Sequence, residues 1–159
     1  MSAQVAIVMG SSSDSAIMAV AEETLSGLGI EHETRVLSAH RTPDEVRDWA
    51  RGLAGRGVSV VIAAAGGAAH LAGAIAAYQT LPVIGVPLVS SNAIAGGLDA
   101  LLSTVQMPRG VPVATVAVGE AGAANAAILA AEILALSDDA LRGRIQTMRQ
   151  SMAARILSP

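Results

Sequence analysis

Residues 5 to 14 read VAIVMGSSSD. An unbroken apolar run stops at Gly10, and three serines and an aspartate follow it. A strand with one wet face would alternate apolar and polar residues. A continuous run therefore predicts a strand covered on both faces, as in parallel sheets flanked by helices. The pattern returns at 58–66 (VSVVIAAAG), 82–87 (PVIGVP) and 111–119 (VPVATVAVG), while ETRVL at 33–37 is less apolar and reads as nearer an edge. Between these runs the spacing predicts helices over 13–28, 42–57, 71–79, 98–106 and 121–136. A last amphipathic helix covers about 138–157, with arginines on its polar side. Gly29 is a stop residue for the first helix. The second has a full start signal: Thr42 as cap, Pro43 with its pre-set φ, and Glu45 completing a capping box. Alternating strands and helices with short connections predict an α/β protein, an open parallel sheet with helices on both faces. No repeat, linker or low-complexity tail interrupts the pattern, so residues 1–159 read as one domain.

Of 159 residues, 52% are hydrophobic and 14% charged, against roughly a quarter charged in ordinary domains. With no Phe and 1% aromatics, the core must be built of Ala, Val, Leu, Ile and Met. The apolar excess points to a face buried in a homo-oligomer. A membrane span is excluded because no apolar run reaches roughly 18 residues without Gly, Pro or polar breaks. A net charge of -3 with scattered arginines offers no footprint for nucleic acid. The absence of Cys removes disulfides, thiolate metal sites and thiol nucleophiles, and the absence of Lys removes Schiff bases and a P-loop cation. The opening MSAQVAIVMG has no secretory pattern and predicts a cytoplasmic protein.

In open parallel sheets ligands sit beyond the carboxyl ends of the strands, where strand order reverses. That directs attention to the loops after the first three strands. GSSSD, 10–14, offers backbone N–H groups and serine hydroxyls to an anion, and Asp14 can accept from sugar hydroxyls, although the loop alone reads more readily as a helix cap. SAHRT, 38–42, adds Ser38 and the planar, permanently charged Arg41, a match for phosphate, with His40 facing the same cleft. AAAGGAAH, 63–70, is nearly bare of side chains. It serves either for tight packing or for direct backbone contact with a ligand in a small, dry pocket. His70 takes no role unaided, and His32, in EHET, reads as exposed. Neither His40 nor His70 has a carboxylate pattern of known metal-ligand spacing nearby, and the dinucleotide and P-loop signatures are absent. Convergence of the loops points to a phosphorylated, sugar-bearing small molecule whose reactive end meets an imidazole, the side chain suited to giving and taking a proton near neutrality.

VAIVMGSSSD, VLSAHRTPDEV, AAAGGAAHLAG, PVIGVP, STVQMPRGVPVATVAV and AGAANAAILAAEILAL, in that order, resemble the PurE family of N5-carboxyaminoimidazole ribonucleotide mutases, from about residue 5 to 136. The resemblance implies a flavodoxin-like three-layer α/β/α fold and a homo-octamer. It also implies a reaction in de novo purine biosynthesis that moves a carboxylate from N5 of the ribonucleotide to ring carbon C4, without ATP, metal or other cofactor. On the matching positions His40 shuttles the proton, and Ser11, Asp14 and Arg41 bind substrate, with Ser13 and Ser38 at the phosphate. Ala65, Gly66, Gly67 and His70 line the carboxylate end, and Gln106, Met107 and Pro108 help form the pocket near a subunit boundary. The sequence departs from the family at Ala64, usually glycine, at Ala72, usually proline, and in a longer 89–103 connection. A related carboxylase using free CO2, and a non-catalytic nucleotide-binding module of the same fold, are the alternatives.

Overall fold

A computed structural model describes residues 3–158; Met1, Ser2 and Pro159 lie outside the described residues. Its strands are β1 (Val5–Met9), β2 (His32–Val36), β3 (Val60–Gly66), β4 (Val83–Leu88) and β5 (Ala114–Thr115). The helices are α1 (Ser15–Gly27), α2 (Pro43–Gly52), α3 (Leu71–Tyr78), α4 (Leu98–Val105), α5 (Glu120–Leu134) and α6 (Asp139–Leu157). All strand pairings are parallel and the order is β2-β1-β3-β4-β5, the flavodoxin-like arrangement. The unbroken apolar runs are where they should be: β1 and β4 are buried along their whole length, while β2, at an edge, has no fully buried residue.

Strand alternation splits the core in two. Val5, Ile7 and Met9 of β1 face α1 and α5, with Met18, Leu25, Ala123, Ala127 and Ala130, and the start of α6 joins them through Leu141 and Ile145. Ala6 and Val8 face α2 and α3 with Val46, Ala50, Leu71 and Ile75. Helix α4 shares that second face. At Gly85 a Cβ would fall 2.4 Å from Thr104 Cγ2 and 2.8 Å from Val113 Cγ1, so only a bare backbone lets α4 lie so close to β4. On the edge, Glu33 of β2 accepts from Trp49 Nε1 at 3.0 Å and from Arg56 at 2.8 Å, tying the strand to α2 and the turn that follows it.

Several expected elements differ. The fifth strand, expected over 111–119, is two residues long. Val116 still donates to Gly85 O and Gly119 to Pro87 O, but Pro87 has no N–H to offer in return, so the ladder cannot continue. The first helix starts later, because Ser12–Asp14 forms a 3-10 turn whose cap is Ser11. The second ends at Gly52, with a further 3-10 turn reaching Gly57 at φ 89°. Thr42 holds the N-cap position of α2, yet its hydroxyl makes no cap bond. It donates to Ser38 O and accepts from Ser38 N at 2.9 Å, and Thr42 N also donates to Ser38 O, so the N–H that a capping-box Glu45 would use is already taken. Helix α6 is not a simple amphipath. Asp138 caps it at Leu141 N, Arg144 reaches Leu28 O at 2.8 Å and Arg142 reaches Ala135 O, whereas Met152, Ile156 and Leu157 beyond the packed half are exposed. No helix among the described residues is long and apolar enough to cross a membrane.

Candidate active site

The chain leaves β1, crosses to β2 on one side, then returns past β1 to β3 on the other. The loops after β1 and β3 therefore diverge, and a crevice opens above the carboxyl ends of the three strands. A cavity of about 320 Å³ fills it, lined by Ser11, Ser13 and Asp14 after β1, Ser38, His40 and Arg41 after β2, and Ala65 and Gly66 from β3. Between Ser11, Ser38, Arg41 and Thr42 lies an adjoining hollow of similar size. Two expected residues, Gly67 and His70, are not part of the cavity wall. Gly67 turns the backbone at φ 60°, a conformation open to glycine, and His70 heads α3.

Arg41 ties the first two loops together: Nη2 donates to Gly10 O at 3.0 Å and Nε to Ser38 Oγ at 3.3 Å, while Arg41 N also donates to Ser38 Oγ. These contacts hold the guanidinium at the rim with its remaining N–H groups free for an anion. Ser13 Oγ donates to Ser11 Oγ at 2.9 Å, so the β1 loop presents a hydroxyl pair. Burial pushes the Asp14 carboxyl above the usual aspartate value, outweighing the hydrogen bonds from Ser13 and the Ser11 backbone. His40 is exposed, and its Nε2 lies 2.9 Å from Nδ1 of His70, with the ring centroids 5.0 Å apart and the planes at 84°. His70 thus meets the site through His40. The far wall is apolar, made of Ala39, Ala65, Ala68 and Leu71. Such a site can grip a phosphorylated ligand by hydroxyls and a guanidinium, accept sugar hydroxyls on a carboxylate, and move a proton at an imidazole beside methyl groups.

Ser90 also lines the cavity. It follows β4, which neighbours β3, so extending the strand-end rule to a fourth loop would have found it. Gly66 sits against it, with a Cβ there meeting Leu88 O and Ser90 Cβ at 3.1 Å. Of the expected 89–103 connection, residues 98–103 belong to α4; the remaining 89–97 folds through Ala95, Gly96 and Gly97 at positive φ and is tied by Ile94 N donating to Asp99 at 3.1 Å. Gln106, Met107 and Pro108 do not line the cavity; Met107 Sδ covers Gly73 of α3. Ala64 is buried in β3 with its carbonyl accepting from Gly10 N, and Ala72 is buried in α3, so neither departure disturbs the site. His32, expected to be exposed, is half-buried with Nδ1 3.1 Å from Ile30 O.

The AIR carboxylase family model matches residues 4–155. An N5-carboxyaminoimidazole ribonucleotide mutase of Brucella melitensis is 54% identical over 95% of this chain and 92% of its own length. One of Escherichia coli K12 is 52% identical over 98% and 90%. The crystal structure of Treponema denticola PurE superposes with a TM-score of 0.85 at 31% identity, covering 96% of this chain and 93% of that one. A family model spanning nearly the whole chain, relatives at half identity end to end, and the same fold with a cavity at its switch point leave one conclusion: the chain belongs to the AIR carboxylase family.

Proposed function

We propose that this chain is the mutase that converts N5-carboxyaminoimidazole ribonucleotide to 4-carboxy-5-aminoimidazole ribonucleotide. The observation that carries the reading is that His40 and Arg41, adjacent in one loop, line a single cavity with Ser11, Ser13 and Asp14. Arg41, Ser11, Ser13 and Ser38 take the phosphate, and Asp14 accepts from the ribose hydroxyls. Ala65 and Gly66 lie toward the migrating carboxylate, while His70 reaches the site only through His40.

In this pocket the bond from N5 to the carboxylate carbon breaks and CO2 departs, while His40 delivers a proton to the nitrogen. The Ala and Gly wall excludes water and retains the CO2. Ring carbon C4 then attacks the CO2, and its proton returns to His40, so the imidazole ends as it began. A carboxylate at low pKa could not serve both steps. The relatives at 49–54% identity carry the mutase name, which favours the mutase over a carboxylase using free CO2. The chain acts as one catalytic domain, in the cytoplasm, as a homo-octamer without cofactor. Leu98, Leu102 and Val105, exposed along one face of α4, with Val89 and Ile94 beside them, support burial of this side by another copy.

The test is an ultraviolet assay of purified protein with the N5-carboxylated nucleotide and no added bicarbonate. Wild type should form the C4-carboxylated product, and His40→Asn should abolish turnover with substrate affinity within about threefold, since only a transition-state interaction is lost. Retained turnover in His40→Asn defeats the proton-transfer role. No turnover by wild type, with nucleotide binding intact, favours a non-catalytic module.

A further inference from the structure

On the β3 side the cavity wall is almost bare of polar side chains. It draws Ala65 and Gly66 from β3, Ala68 and Leu71 from the approach to α3, and Ser90 from the segment after β4. Of these only Ser90 carries a polar group, and Gly66 is what admits it. A Cβ on Gly66 would stand 3.1 Å from Ser90 Cβ and 3.3 Å from Ser90 N, so the serine closes onto bare backbone. Its Oγ lies 4.0 Å from where a Gly67 Cβ would be, which sets the hydroxyl beside the glycine loop.

The hydroxyl is also oriented. Ala93 N donates to Ser90 O at 3.0 Å and closes a turn. Within that turn Ser90 Oγ donates to Asn92 Oδ1 at 3.0 Å. A hydroxyl has one proton and two lone pairs. With the proton given to Asn92, only lone pairs remain for a ligand, so Ser90 meets the cavity as an acceptor. Arg41, at the phosphate end, has only donors to give.

The proposed reaction supplies a matching donor. The exocyclic nitrogen of the substrate carries one N–H beside its carboxylate. When CO2 leaves, that nitrogen gains a second proton from His40, and ring C4 later gives one back. One N–H therefore stays on this nitrogen from substrate to product. An acceptor on it leaves more electron density on the nitrogen and, through the ring, on C4, the atom that attacks CO2.

We infer that Ser90 is a specificity-determining residue whose Oγ accepts a hydrogen bond from the exocyclic N–H of the substrate, with Asn92 as the positioning residue that takes the serine's own proton. The inference rests on the mutase reading for the identity of the ligand. Its content is the polarity of one contact: an acceptor, on a wall that otherwise offers methyl groups and backbone.

Calorimetric titration compares the product nucleotide with an analogue bearing hydrogen in place of the 5-amino group. Wild type should prefer the amino nucleotide about three- to tenfold, the span of one neutral hydrogen bond. Ser90→Ala should remove that preference and leave the affinity for the analogue within about twofold. Asn92→Leu should lower the preference at least about twofold, because the freed hydroxyl can turn its proton inward. Asn92→Asp, which can only accept from the serine, should keep it; the added charge acts on both ligands alike. No preference in wild type, equal weakening of both ligands by Ser90→Ala, or a preference lost as fully in Asn92→Asp as in Asn92→Leu would overturn the inference. Wild type that shows the preference without turnover sinks the mutase reading and leaves the contact standing; turnover without the preference does the reverse. The wild-type comparison requires no variant to fold.

Discussion

Arg41 permits the sharpest quantitative test of how the pocket holds its ligand. Its guanidinium has five N–H groups; Nε and one on Nη2 are committed to Ser38 Oγ and Gly10 O. The remainder can give a phosphate two charge-assisted bonds, each worth roughly 1.5–3 kcal/mol. The side chain is exposed, which argues for the lower end, about 3 kcal/mol in all, or about 100-fold in affinity. Arg41→Ala also cuts the tie between the β1 and β2 loops, but that loss falls on any ligand alike. The ratio of two affinities therefore isolates the phosphate term. Calorimetric titration with the product nucleotide and with its dephosphorylated nucleoside should show a weakening about 100-fold greater for the first than for the second. The nucleotide's advantage should also shrink as salt is raised. Equal weakening of both ligands would refute the placement of phosphate at Arg41 and leave the residue a loop strut.

Asp14 carries a pH signature. Its folded value lies above the 3.8 of the free group because burial disfavours the charge, so ionising it weakens the fold as pH rises through that window. Asp14→Asn should raise the unfolding temperature of the free protein at pH 7 and change nothing below pH 3.8; an equal effect at both pH values would contradict the burial argument. Two glycines in helices should respond oppositely to alanine. At Gly122 in α5 a Cβ would lie 1.7 Å from Ala117 O, a backbone atom, so Gly122→Ala should cost at least about 3 kcal/mol. At Gly143 in α6 nothing lies within 4 Å, so Gly143→Ala should stabilise by about 0.5–1 kcal/mol. Chemical denaturation compares them: stabilisation by both would show that the packing at α5 is looser than described, and destabilisation by both would refute the open surroundings of Gly143.

The apolar runs and the turn residues between them carried the class of fold, because a strand buried on both faces leaves an unbroken signature in the chain. Boundaries failed where a neighbour in space overrode a local preference. The fifth strand reads as nine residues in isolation and is cut to two by Pro87 of an adjacent strand, a residue outside its own window. Thr42 reads as a helix cap and instead closes a turn onto Ser38. The first half of α6 reads as one long amphipath with the second, yet only Leu141 and Ile145 of that helix are buried.

For the site, residue chemistry was legible locally: hydroxyls after β1, the imidazole and guanidinium after β2, and the bare loop after β3 each announced what they could bind. What strand order alone decided is that these loops adjoin. Order β2-β1-β3 brings residues 11, 40 and 66 around one cavity, and the adjacent β4 adds Ser90. The meeting of His40 with His70, thirty positions apart in the chain, belongs to that same class of fact. Sequence specifies which groups exist and what each prefers nearby, because propensity and hydrophobic pattern act over a few residues. Distance between groups on different strands depends on how the sheet is assembled, and only the assembled fold determines it.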